Sequence, residues 1–283
     1  MDAGLHTLLA LIAQSSSRVA LTRALLARPL DEVARDPELR PGPRALRLAA
    51  RQARALAVLG IDTLPAPEIP ARLARARPTP PALFVRGDAT LLARRAVAIV
   101  GARDASPGPT AWAARVAAQV ARAGLLVVSG GARGIDAAAH RATLDAGQPT
   151  VVYLGVQADR IYPRFHRRLF ERVLTRGGAL VSEHPPLVMA FPAGHSARNR
   201  FIAAQADVVI VVEAGEGSGS LGTAAYARRL GIPVLVPPAA VGGERRGIDG
   251  LLAAGAAREL AHGDLVLEAL GAAAPIAAAP PGG

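Results

Sequence analysis

Along the chain, apolar and polar positions change their period near residue 95. From Gly4 to about Leu59 the apolar residues recur at helical spacing: Leu5, Leu8, Leu9 and Ile12 form one face. Val19, Leu21, Leu25 and Leu26 form a second helical face behind Ser17, a residue suited to an N-cap. Pro41 and Pro43 interrupt the pattern, and Ala45 to Leu59 resumes it with Arg47, Arg51 and Arg54 on the polar side. Six prolines (Pro65, Pro67, Pro70, Pro78, Pro80 and Pro81) then mark a linker with a short helix near 71–76. Beyond it come continuous apolar runs at 96–100, 125–128, 150–154, 179–181, 208–212 and 233–236. Such runs suit strands buried on both faces of a parallel sheet. Helical stretches at 110–123, 136–146, 165–175, 196–205 and 221–230 separate them.

That alternation predicts an α/β fold: an extended, doubly wound, mostly parallel sheet built from right-handed crossovers, preceded by a small all-helical domain. The expected division is a helical domain 1–62, a proline-rich linker 63–82, a sheet domain 83–270 and a disordered Ala/Pro/Gly tail 271–283.

In such a sheet, ligands bind beyond the C-terminal strand ends, where loops enter helix N-termini. Three glycine-rich loops fall there. The first holds Gly101, Arg103 and Ser106; the second runs from Ser129 through Gly130, Arg133 and Gly134 to Asp136. The third holds Ser218, Gly219, Ser220 and Thr223. Glycine lets backbone N–H groups approach an anion, and the helix that follows adds its positive dipole end. Tight turns also need glycine, so one such loop alone says little. None is a GxGxxG or Walker A motif, which leaves a dinucleotide or ATP site unindicated.

Composition sharpens this picture. The 283 residues carry a net charge of +11, and all 33 cations are arginine, since lysine is absent. Arginine alone fits a codon bias as well as a choice of bidentate phosphate donors, but the excess favours a polyanionic partner. Cysteine is also absent, which excludes disulfides, thiolate zinc sites and a cysteine nucleophile. No apolar run reaches the roughly 18 residues of a membrane span, and the start lacks a basic leader, so a cytoplasmic protein is expected.

A second cluster joins Phe191 to Arg198, Asn199 and Arg200: a ring for base stacking beside guanidinium groups for phosphate, as single-stranded nucleic acid sites use. Phe201 reads better as core. Although aromatics are only 3% of the chain, Tyr153, Tyr162, Phe165, Phe170, Phe191 and Phe201 share one stretch with Arg160, Arg164, Arg167, Arg168 and Arg172. Those arginines also read as a solvated helix face. Catalytic constellations are poor. Asp136 and His140 share a helix face, which fits an acid/base pair, half a metal site, or a loop-orienting carboxylate hydrogen-bonded to the imidazole.

Together, AIVGAR (98–103), VVSGGARGIDAAAH (127–140), YP (162–163), SE (182–183), FP (191–192), ARNRFIA (197–203) and VVEAGEGSGSLGTAAYA (211–227) resemble the DNA processing protein A family, DprA or Smf. The likeness, with PPALFVRGD (80–88) upstream, covers about 78–260. It implies a Rossmann-like, homodimeric protein that binds single-stranded DNA and loads the RecA recombinase during natural transformation, with no catalysis and no cofactor. By motif, Gly101 and Arg103 would hold a phosphate within a pocket lined by the 129–136 loop and rimmed by 218–223. Phe191 and Arg198 to Arg200 would contact DNA. Residues 1–62 resemble the sterile-alpha-motif-like domain of many members. This chain departs at Pro237-Pro238, at Gly222 and at Asp249, where an acid replaces an amide expected beside the phosphate pocket. The alternative is a nucleotide-binding or nucleoside-monophosphate N-glycoside-hydrolysing protein, whose GGxGTxxE loop is similar to 219–226. Tyr226 stands at that loop's glutamate position.

Overall fold

The computed structural model describes residues 3–188, 194–260 and 270. Four helices come first: α1 (Ala3–Gln14), α2 (Arg18–Ala27), α3 (Leu30–Arg35) and α4 (Pro43–Leu59). Ser17 caps α2 by accepting from the Ala20 N–H at 3.3 Å. Gly60, left-handed at φ 60°, ends α4.

Then come β1 (Ile61–Pro65), α5 (Ala71–Ala74), β2 (Ala82–Gly87), β3 (Ala96–Val100), α6 (Pro107–Arg122), β4 (Leu126–Ser129), α7 (Ile135–Asp145) and β5 (Thr150–Tyr153). They are followed by α8 (Arg167–Thr175), β6 (Ala179–Ser182), α9 (Gly194–Ala197), α10 (Asn199–Gln205) and β7 (Val208–Val211). The rest is α11 (Gly219–Arg229), β8 (Val234–Val236), α12 (Arg246–Ala253) and β9 (Arg258–Glu259).

All nine strands join one sheet in the order β1-β2-β6-β5-β4-β3-β7-β8-β9, parallel from β6 to β9 and antiparallel at β1–β2 and β2–β6. Strand alternation sorts the core into layers. Ala96, Ala98 and Val100 of β3 pack with Phe201 to Ala204 of α10 and Ala224 and Ala227 of α11. Val97 and Ile99 face the other way, onto Trp112, Ala113 and Val116 of α6 and Ile135 and Ala139 of α7. Both faces are covered, so the fold is the Rossmann-like, doubly wound sheet expected, with the helices of α1–α4 in front of it.

Three features differ from the sequence reading. Residues 63–82 do not run as a free connection: Thr63 to Pro65 pair with Ala82 to Phe84 at the sheet edge, where prolines are tolerated because one side needs no ladder. The helix expected over 196–205 is two, because the Phe201 N–H bonds to the Arg198 carbonyl three residues back and tightens the turn. The strand pair β1–β2 also gives the N-terminal helices their seat. Leu9, Leu21, Val33, Ala49 and Leu56 share a cluster with Ile61, Ala82 and Phe84. The expected disordered tail at 271–283 lies outside the described residues.

Phe84 is 1% exposed and joins the helical layer to the sheet. Phe84→Ala is expected to cost about 3–5 kcal/mol, read as a lower urea midpoint with an unchanged m-value. A loss under about 1 kcal/mol would show that the helices do not depend on that contact.

Candidate nucleic-acid interface

The chain runs from β3 outward through β4, β5 and β6, then returns across the sheet to β7, on the other side of β3. At that reversal the loops after β3 and β7 diverge, which opens a crevice at the strand ends. A cleft of about 520 Å³ occupies it, lined by parts of all three glycine-rich loops and by the α9–α10 junction.

Two glycines let these loops meet. A Cβ on Gly130 would fall on the Arg198 guanidinium, and one on Gly134 (φ +73°) would meet the Ala102 and Arg103 carbonyls. Asp136, buried, then fixes the second loop by accepting from the Gly130 and Ala132 N–H groups, both at 3.2 Å. The α9–α10 junction clamps the loops from above: Arg198 Nη2 donates to the Gly130 carbonyl at 2.8 Å, and Asn199 Nδ2 to the Gly219 carbonyl at 3.0 Å.

The cleft has two electrostatic walls. Arg103, exposed, and Arg198, only 7% exposed, make the cationic one. Burial lowers the Arg198 pKa and raises that of Asp136, while their mutual attraction favours the charged form of each. Among the described residues the buried Arg198 Nε has no hydrogen-bond partner. The other wall is acidic, made by Glu213, Glu216 and Glu244. Glu213 is tied down by the Ser106 N–H (2.8 Å), the Ser106 hydroxyl (2.8 Å) and the Glu244 N–H (2.9 Å). Glu216 and Glu244 are exposed.

The structure thus brings Gly101, Arg103, Asp136, Arg198, Asn199, Ser218, Gly219, Ser220 and Thr223 to the cleft. Gly130 and Arg133 border an adjoining hollow of about 260 Å³ that shares Arg103 and Arg198 with it. Arg133 also pairs with Asp104 at 2.8 Å. Other candidates are committed elsewhere. Ser129 is fully buried and donates to the Ile99 carbonyl at 2.6 Å. Ser106 holds Glu213, and Gly134 supports the loop contact above.

Arg200 points away from the cleft. It is 3% exposed, grips both oxygens of Glu183 at 2.8 and 2.7 Å, and lies over the Phe201 ring. Two residues along a helix turn a side chain by about 200°, which sends Arg198 to the cleft and Arg200 into the packing. Phe201 is core, stacked with Tyr153, whereas Phe191 lies outside the described residues. Asp249 pairs with Arg245 at 3.5 Å and does not line the cleft, so the acid expected beside the phosphate pocket is not among its lining residues. Tyr226 also lies off the cleft, packed against the core.

The acidic wall and His195 went unmarked in the sequence reading. A signal was present in Glu213 and Glu216 just before the third glycine-rich loop, but what they face, and that Glu244 joins them, depends on the fold.

His140 does not bond to Asp136. The Thr150 hydroxyl donates to the Val127 carbonyl at 2.6 Å and accepts from His140 Nδ1 at 2.9 Å, leaving Nε2 buried without a partner among the described residues. Burial therefore lowers the His140 pKa to about 3. His184 is lowered to about 4, again first by burial.

The family model for DNA recombination-mediator protein A matches residues 61–271. The DprA protein of Mycobacterium tuberculosis is 46% identical over 175 residues, 59% of this chain and 44% of that protein, so the chain spans less than half of that relative's length. The structure of DprA from Streptococcus pneumoniae superposes with a TM-score of 0.73 at 26% identity, covering 95% of this chain and 98% of that one. DNA processing protein A from Helicobacter pylori, solved to show its single-stranded DNA binding mode, superposes with a TM-score of 0.67 at 27% identity, covering 74% and 95%.

A pH prediction follows from His140. With its pKa lowered, the folded chain binds fewer protons than the unfolded chain between about pH 3 and 6.5. Stability from this residue is full above 6.5 and falls by roughly 1.4 kcal/mol per pH unit below it. Asp136, raised, acts with the opposite sign as pH climbs past the ordinary carboxylate value of 3.8. Melting temperatures across pH 4–7 are expected to fall less steeply in His140→Gln than in the native chain; equal slopes would refute the assignment.

Proposed function

The chain belongs to the DNA recombination-mediator protein A family, and on that premise we propose that it binds single-stranded DNA, protects it and loads the RecA recombinase onto it, working as a homodimer. The observation that carries the binding step is the cationic wall. Arg103 and Arg198 stand where three glycine-rich loops converge beside the N-terminus of α11, a place suited to a phosphate. Arg198 supports this through its buried Nε, which has no hydrogen-bond partner among the described residues. The acidic groups of the cleft favour the adjoining hollow, because a polyanion laid on Arg103 and Arg198 is repelled from Glu213, Glu216 and Glu244, whereas the hollow adds Arg133 and no glutamate.

Single-stranded DNA processing also accounts for the likeness to the Helicobacter pylori protein. A binding role rather than hydrolysis suits the carboxylates, since Asp136 and Glu213 are occupied by loop N–H groups and Tyr226 lies off the cleft. Among the described residues no helix is long and apolar enough to cross a membrane. Handover to RecA is expected to appear as faster filament growth on strands coated with a single-strand-binding protein.

Fluorescence anisotropy with labelled oligo-dT tests the binding step. Arg103→Ala is expected to weaken binding about tenfold to a hundredfold, for the loss of charge-assisted hydrogen bonds. It is also expected to flatten the log Kd against log salt slope by about 0.7, one single-strand phosphate contact. No binding of oligo-dT by the native chain, or its displacement by AMP, would overturn the reading in favour of a nucleotide site.

A further inference from the structure

The hollow beside the main cleft carries chemistry that phosphate binding leaves unused. Two of its walls are aromatic: Tyr162 is 51% exposed and Phe165 67% exposed. Among the described residues every other tyrosine, phenylalanine and tryptophan ring is buried or half-buried. The exception falls next to the cationic wall, since the hollow and the cleft share Arg103, Ala132, His195 and Arg198.

Neighbouring rings hold both in place. Phe165 stands edge-on to His166, with ring centroids 4.6 Å apart at 82°. His166 is itself buried and fixed by Nδ1 donating to the Gly131 carbonyl at 3.0 Å, in the second glycine-rich loop. Tyr162 lies 4.9 Å from the His195 ring on α9, and burial lowers the pKa of that imidazole, which favours its neutral form. A ring fixed beforehand loses little entropy when a planar ligand settles on it.

The surroundings select the ligand class. Arg103, Arg133 and Arg198 line the hollow, and Arg160, Arg164, Arg167 and Arg168 are exposed on the segment that carries its two rings, so an apolar protein surface would have to desolvate guanidinium groups to dock there. A polyanion that also presents flat apolar faces meets both needs. Unpaired nucleobases on a phosphodiester strand have that chemistry, whereas duplex DNA keeps its base faces stacked.

We propose that Tyr162 and Phe165 form a nucleobase-stacking platform for the nucleotide next to the phosphate held by Arg103 and Arg198. The inference rests on the single-stranded DNA reading above and adds to it how unpaired strands are told from duplex.

The test compares labelled oligo-dT with an abasic strand of equal length, in the full chain and at one salt concentration. Stacking gives the native chain a preference for oligo-dT of about 5- to 150-fold per stacked base. In Tyr162→Ala/Phe165→Ala that preference is expected to fall toward one, and Phe165→Tyr is expected to keep it. Because abasic binding is read in the same variants, a chain that failed to fold would show itself by losing both strands. A double variant that retains the native preference overturns the platform while leaving the DNA-binding reading standing. So does one that is folded by circular dichroism yet weakens both strands equally. Failure of the native chain to bind either strand overturns both.

Discussion

Because β3 pairs in parallel with both β4 and β7, its two neighbours must be reached by connections that leave in opposite directions. The residues of β3 therefore bury alternate side chains in two separate layers, one against α6 and α7 and the other against α10 and α11. The loops at its C-terminal end have nothing between them but the cleft. Strand order thus makes the cleft a by-product of closing the core. Any change that moved β7 would abolish the crevice before it touched a single arginine.

Within that crevice the arginines divide by burial and direction rather than by sequence. Arg103 sits on a loop and stays in water, available to a diffusing anion. Arg198 is sunk beside Asp136, where its charge is worth more because the surroundings screen it less, and where it also clamps Gly130. Arg200, two residues on, is consumed by Glu183. Its bidentate pair fastens the start of α10 to the end of β6, and the same helix places Asn199 over the third loop.

The acidic wall has a structural origin as well as an electrostatic effect. Glu213 follows the last residues of β7 and must satisfy the N–H groups of Ser106 and Glu244, which the folding of the two loops turns inward. Its negative field is the consequence. The adjoining hollow, which shares Arg103 and Arg198 but none of these glutamates, carries the exposed rings of Tyr162 and Phe165.

Much of this was legible in the amino-acid order. Six apolar runs marked six parallel strands, because burial on both faces leaves no room for polar alternation, and Gly101, Gly130 and Gly219 marked the loops that crowd together. What stayed illegible depended on distant partners. Thr63 to Pro65 resemble a linker until Ala82 to Phe84 offer an edge to pair with. His140 points to Asp136 by helical spacing, yet Thr150, ten residues away on the next strand, accepts its ring hydrogen bond. Residue type and period determine which elements form and which chemical groups are at hand. Only the packed sheet decides which groups meet, because helical phase and strand order set whether a side chain reaches the cleft or the core.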